Sequence, residues 1–303
     1  MMISIKNFAP QNFAIFEFFR FIIDNLGERK NCFNLRLILF LIASNPLYGS
    51  SEDAIFNIAY GDLHPLQTMD FYPGSSKRSI MYLHGKGWIA GDKRDLYQGI
   101  KPFISGEFNV FSVNFKVGHA TAPKAIEDVL CAYQYIESYS ESVGLSPQHI
   151  SIMGRSAGGH LALTAGLIIS SNKSHICKSS YPPYAVVNLF GITDLLGLHQ
   201  YDTNSPLANP NHDFPRKWIG DSSRVASISQ QFSPINLIHP QAPKILSFHG
   251  TKDLVVPFRQ AQRFHDLLET PNELYPMQGK KHGDFGPNGW GMIFSRIETF
   301  LGS

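Results

Sequence analysis

Cysteine is scarce in this sequence: Cys32, Cys131 and Cys177 are the only three among 303 residues. Three thiols are too few for a disulfide framework, and they show no metal-ligand spacing. Cys131 lies in a helical apolar pattern, which predicts a buried small side chain. Net charge is equally slight. The 26 Lys and Arg against 24 Asp and Glu leave +2, so no charge-driven nucleic-acid or membrane partner is implied. No uninterrupted apolar run approaches the roughly 20 residues of a membrane span, and no repeat or low-complexity tract is visible. What is present, 43% hydrophobic and 17% charged residues over 303 positions, suits one sizeable globular domain with a large core.

The first fifty residues differ from the rest. Phe13–Ile23 is apolar but interrupted by Glu17 and Arg20. Arg29, Lys30 and Arg36 precede the apolar run Leu37–Ala43, and Ser44, Asn45, Pro46, Gly49 and Ser50 follow it. A basic stretch, a short apolar run and a small-residue exit have the shape of a secretory signal peptide. The expected division is an N-terminal extension over 1–30, a signal peptide over 31–50 and one globular domain over 51–303. The protein is then exported to the periplasm or beyond. Because thirty residues precede the signal-like run, a packed helix in a cytoplasmic protein is the alternative.

From Ile55 onward, strand-like and helix-like patterns alternate. Short strands are expected at Ile55–Tyr60, Thr68–Tyr72, Ser79–Leu83, Val110–Phe115, Ile150–Met153, Ala185–Phe190, Lys244–Phe248 and Glu273–Pro276. Helices are expected around Leu96–Ile104, Pro123–Val143, Leu161–Ile169, Gln260–Leu268 and Ile293–Leu301. This order predicts an α/β fold, a mostly parallel sheet covered on both faces, with the site at the C-terminal strand ends. Leu195–Gln241 is too long for a simple loop and reads as a small cap insertion over those ends, where a substrate pocket would sit.

The chemistry centres on Gly154-Arg155-Ser156-Ala157-Gly158, a G-x-S-x-G sequence between a strand and a helix. A serine lifted on a sharp strand-to-helix turn needs side-chain-free neighbours two residues away. The hydroxyl also needs a base, and the base an orienting carboxylate. Asp253 directly follows a strand, and His282 lies in the glycine-flanked Gly279–Gly283 loop after the last one. The order Ser156, Asp253, His282 makes these the candidate nucleophile, acid and base. Asp194, also after a strand, is a competing acid. His84 and His249 read as structural, bonding to nearby backbone, and His160, on the elbow helix, as packed. Oxyanion donors are expected from the N–H of Ala157 and from the His84–Trp88 loop.

These motifs resemble an α/β-hydrolase of the small carboxylesterase and kynurenine-formamidase-like (BD-FAE-like) group. The resemblance rests on Tyr60-Gly61-Asp62, Asp70-Phe71-Tyr72-Pro73, His84-Gly85-Lys86-Gly87-Trp88, Gly91-Asp92-Lys93, Gly154–Ala162, His249-Gly250-Thr251-Lys252-Asp253 and His282-Gly283, and spans about residues 55 to 300. It implies an α/β-hydrolase fold, Ser156, Asp253 and His282 as the catalytic triad, and the backbone N–H groups of Lys86, Gly87 and Ala157 as the oxyanion hole. It implies hydrolysis of a small-molecule carboxylic ester or amide through an acyl-enzyme, with no cofactor and no metal. An arylformamidase, a peptidase and a non-catalytic binding protein on the same fold are the alternatives. Two positions depart from the family. Lys86 stands where the loop usually has a second glycine, and its ammonium is expected to favour acidic or polar acyl groups. Phe115-Lys116-Val117 replaces a common Tyr-Arg-Leu, which leaves the anchoring of that loop open.

Overall fold

The computed structural model describes residues 53–302 apart from 97–99, 105, 173, 175, 208, 210 and 211. The expected extension over 1–30 and signal peptide over 31–50 lie outside the described residues.

Strand positions are set by alternation. The strands are β1 (Ile55–Ala59), β2 (Thr68–Tyr72), β3 (Ser79–Leu83), β4 (Asn109–Val113), β5 (Ile150–Arg155), β6 (Ala185–Leu189), β7 (Lys244–Gly250) and β8 (Asn272–Met277). They pair in the order β1-β2-β4-β3-β5-β6-β7-β8. The β1–β2 and β2–β4 pairs are antiparallel and the remainder parallel. Met81, Leu83, Ile152, Val186 and Ile245 feed one buried cluster. Their strand neighbours Ile80, Tyr82, Met153, Val187 and Leu246 feed the other. A period of two thus divides each central strand between two cores, which is why these strands read as nearly continuous apolar runs.

The described helices are α1 (Lys124–Ser142), α2 (Ala157–Ser170), α3 (Leu195–Asn204), α4 (Phe214–Ile219), α5 (Val225–Phe232), α6 (Arg259–Asp266) and α7 (Gly286–Gly302). Val129, Tyr133 and Ile136 of α1 and Leu161 and Leu163 of α2 pack into the first core. Ile293, Ile297 and Phe300 of α7 pack into the second. The expected insertion is present as α3, α4 and α5. Among the described residues no helix is long and apolar enough to cross a membrane.

Two expectations need correction. Cys131 is not a lone packed thiol: it is bonded to Cys177, 46 residues on. The pairing was invisible because it joins α1 to an irregular segment after α2, so no periodic signal marks Cys177. Among the described residues the expected helix around Leu96–Ile104 is also absent in that form. Its described part holds only the 3₁₀ turn Lys101–Phe103, with Pro102 at its start. Proline's missing N–H and fixed φ suit a first turn and oppose a longer helix leading into it.

Candidate active site

Each elbow glycine is required by a backbone contact. Ser156 has φ 53° and ψ −122°, a conformation an L residue avoids. A Cβ on Gly154 would lie 2.1 Å from the Gly158 carbonyl oxygen, and one on Gly158 would lie 2.2 Å from that of Leu83. The start of α2 therefore presses on β5 and β3, and the turn is held by close backbone approach. The Ser156 N–H donates to Leu189 O of β6 at 2.9 Å, which fixes the turn to the sheet.

The structure brings the three distant side chains together. Ser156 Oγ lies 3.0 Å from His282 Nε2, and Asp253 Oδ2 lies 2.6 Å from His282 Nδ1. Asp253 is held by its own turn: Oδ1 accepts the N–H groups of Val255 at 2.8 Å and Val256 at 2.9 Å. Burial pushes the Asp253 carboxyl up, but the hydrogen bonds and charges of His249 and His282 outweigh burial and hold it well below the usual carboxylate range. An ionised carboxylate facing Nδ1 fixes that nitrogen as the protonated one and leaves Nε2 free to accept from the serine hydroxyl. The edge of Phe190 packs on the imidazole at 4.8 Å.

The competitors are engaged elsewhere. Asp194 caps α3, accepting the Gly197 N–H at 2.8 Å, and its other oxygen faces Arg263 at 3.6 Å. His84 donates through Nδ1 to Gly85 O at 3.1 Å and stacks on Phe115 at 4.3 Å; burial lowers its pKa to about 4. His249 donates through Nε2 to Val256 O at 2.8 Å and lies 3.3 Å from Asp253 Oδ2. It thereby braces the turn that carries Asp253, a contact no spacing in the sequence announced.

The His84–Trp88 loop runs beside the serine. A Cβ on Gly85 would lie 3.3 Å from Ser156 Cβ. Lys86, Gly87 and Trp88 are consecutive left-handed residues, with φ of 74°, 64° and 61°. Lysine and tryptophan each cost about 1–2 kcal/mol there relative to glycine. The Lys86 ammonium does not reach freely toward an acyl group: Nζ pairs with Asp95 Oδ2 at 2.8 Å. Lys116 is anchored through its backbone, whose N–H donates to Asp128 Oδ2 at 2.7 Å, so the departure from the family pattern there leaves the loop tied down.

A cleft of about 450 Å³ opens over Ser156 and His282. Its walls are mainly apolar: Trp88, Phe190, Ile192 and Val256 from the sheet side, and Leu198 and Phe214 from the insertion. Lys86 and Arg155 also line it. Among the described residues no group of three or more His, Cys, Asp and Glu side chains is placed to hold a metal ion. The arrangement can activate a hydroxyl, hold a carbonyl compound in an apolar slot and offer N–H groups beside it.

A family model described as BD-FAE matches residues 69–268. Esterase LipC of Mycobacterium tuberculosis is 24% identical over 221 residues, which cover 70% of this chain and 54% of that protein. A probable isoprenylcysteine alpha-carbonyl methylesterase of Arabidopsis thaliana, ICMEL2, is 27% identical over 276 residues, covering 84% of this chain and 63% of that protein. The chain spans about half the length of the mycobacterial relatives it matches. Among solved structures, a truncated carbohydrate esterase from gut microbiota superposes with a TM-score of 0.67 at 22% identity, covering 86% of this chain and all, 100%, of that one. Propionate-bound esterase 2 of Thermogutta terrifontis gives 0.62 at 21% identity, covering 81% and 92%. At such identities the structural likeness carries the fold.

Proposed function

The chain belongs to the BD-FAE family of α/β-hydrolases, a carboxylesterase-like group, and on that footing we propose that it hydrolyses carboxylic esters through a covalent acyl-enzyme on Ser156. The observation that carries the proposal is the unbroken relay from Ser156 Oγ to His282 at 3.0 Å and from His282 to Asp253 at 2.6 Å. The esterase names of several relatives agree with it.

Ser156 Oγ attacks the ester carbonyl as His282 Nε2 takes the hydroxyl proton. Asp253 keeps the proton of Nδ1 in place and stabilises the imidazolium. The carbonyl oxygen gathers negative charge, which the backbone N–H groups of Lys86, Gly87 and Ala157 receive. The tetrahedral adduct collapses, the C–O bond breaks, and His282 returns the proton to the departing alcohol. Water, deprotonated by the same imidazole, then attacks the acyl-serine and releases the acid. The mainly apolar cleft suits small acyl or alcohol groups. Export fits the Cys131–Cys177 disulfide, because such bonds persist in oxidising compartments.

Turnover of a panel of p-nitrophenyl esters, with N-formylkynurenine beside it, tests the reading. Ester hydrolysis that falls about 10⁶-fold in Ser156→Ala is the expected result. Preferential cleavage of N-formylkynurenine would move the assignment to an arylformamidase, and turnover that survives Ser156→Ala would overturn it.

A further inference from the structure

The 86–88 loop carries two left-handed residues that are not glycine, so something outside the loop must hold it. The contacts on Trp88 supply that hold. Its indole is fully buried. It stacks on Trp218 of α4, with ring centres 4.9 Å apart and planes within 17°. His160 of α2 meets it edge-on at 5.1 Å, and Trp88 Nε1 donates to His160 Nδ1 at 3.2 Å. An indole nitrogen only donates, so Nδ1 must be the bare nitrogen of a neutral imidazole. The proton then sits on Nε2, which donates to Phe232 O, the last residue of α5, at 2.9 Å. Burial lowers the His160 pKa to about 4, which keeps the ring neutral in the ordinary pH range.

The backbone around the indole closes the arrangement. Gly118 N–H donates to Trp88 O at 3.0 Å, and the N–H groups of Ala120 and Ala122 donate to Lys217 O and Trp218 O of α4 at 3.0 and 3.1 Å. The Phe214 ring lies against Gly87, where an added Cβ would fall 2.5 Å from it. The loop is thus clamped between the nucleophile helix on one side and the insertion on the other.

We propose that His160, four residues after Ser156, is a positioning residue of the reaction: with Trp218 it clamps Trp88 so that the 86–88 backbone presents its N–H groups to the carbonyl oxygen at Ser156. The proposal rests on the esterase reading above. Displacement of such donors by a fraction of an ångström lowers the rate of the chemical step and leaves ground-state binding nearly intact. Glutamine can replace the imidazole here, because its carbonyl can accept from the indole and its amide can donate to Phe232 O. Leucine can do neither.

The test compares kcat and KM of wild type, His160→Leu, His160→Gln and Trp88→Phe on one p-nitrophenyl ester. The expected result is a fall in kcat of about 10²-fold in His160→Leu with KM nearly unchanged, and recovery of most of that loss in His160→Gln. Trp88→Phe keeps a ring but removes the donor, so it falls with His160→Leu and serves where the leucine variant fails to fold. A folded His160→Leu or Trp88→Phe with wild-type kcat overturns the clamp, as does a glutamine variant no better than leucine. Wild-type turnover independent of Ser156 removes the esterase reading instead, and the clamp falls with it.

Discussion

Two strained turns meet at this site, and they are held by opposite means. The elbow places Ser156 at φ 53° and is locked by backbone pressed on backbone at Gly154 and Gly158. The 86–88 loop places Lys86 and Trp88 at φ 74° and 61° and is locked by side chains: an ion pair to Asp95, an indole stack and a hydrogen bond to an imidazole. A turn locked by close backbone approach tolerates no substitution at its glycines. A turn locked by side chains can be loosened by degrees. The position of Ser156 is fixed by the sheet, while the backbone of 86–88 depends on an insertion packed against it.

Substitutions at the two turns break this comparison if their effects come out alike. Gly158→Ala carries the largest expected effect on folding, because its methyl would meet the Leu83 carbonyl at 2.2 Å and the His84 carbonyl at 2.4 Å. A loss of about 3 kcal/mol or more in urea unfolding is expected. Lys86→Gly should do the reverse on a smaller scale. Relief of left-handed strain stabilises by about 1 kcal/mol, partly offset by the lost partly exposed pair with Asp95, worth about 0–1 kcal/mol. Equal destabilisation by both substitutions would erase the distinction between the turns.

A third and smaller effect sharpens the account on the side of the insertion. Asp202 of α3 is 3% exposed, and neither carboxylate oxygen has a hydrogen-bond partner. Burial and the charge of Asp213 raise its pKa to about 7, against weaker opposing effects of His199 and Lys217. Asp213 caps α4, the helix that carries Phe214 and Trp218. A carboxyl with a raised folded pKa binds its proton more tightly folded than unfolded. Its contribution to stability is therefore greatest below the unfolded pKa near 4 and declines as pH rises to about 7. Asp202→Asn should match wild type near pH 4 and exceed it at pH 8 in denaturant midpoint. A constant difference across that range would mean that Asp202 does not titrate there.

What the sequence revealed follows the same division. Strand edges were legible because a buried parallel strand is a short apolar run, and all eight strands begin within one residue of their expected start. The strand β4 opens at Asn109, one residue before the expected Val110, and ends at Val113, two residues before the expected Phe115. The positions of Ser156, Asp253 and His282 were legible because each stands next to glycine or a strand end, where backbone geometry leaves a local mark. The clamp on Trp88 was not, because residues 88, 160 and 218 share no period and meet only through the folded insertion. Cys177 escaped for the same reason: its partner is chosen by the packing of α1. The position of Lys86 was legible as an anomaly, whereas its pairing with Asp95 belongs to a turn that no pattern specified.

The central claim is that Ser156 is the activated nucleophile, and intact-mass analysis after treatment with a fluorophosphonate addresses it most directly. The account predicts a single adduct per chain, mapped by peptide analysis to Ser156, abolished in Ser156→Ala and formed far more slowly in His282→Ala. An adduct on another residue, or labelling of wild type no faster than of His282→Ala, would contradict it.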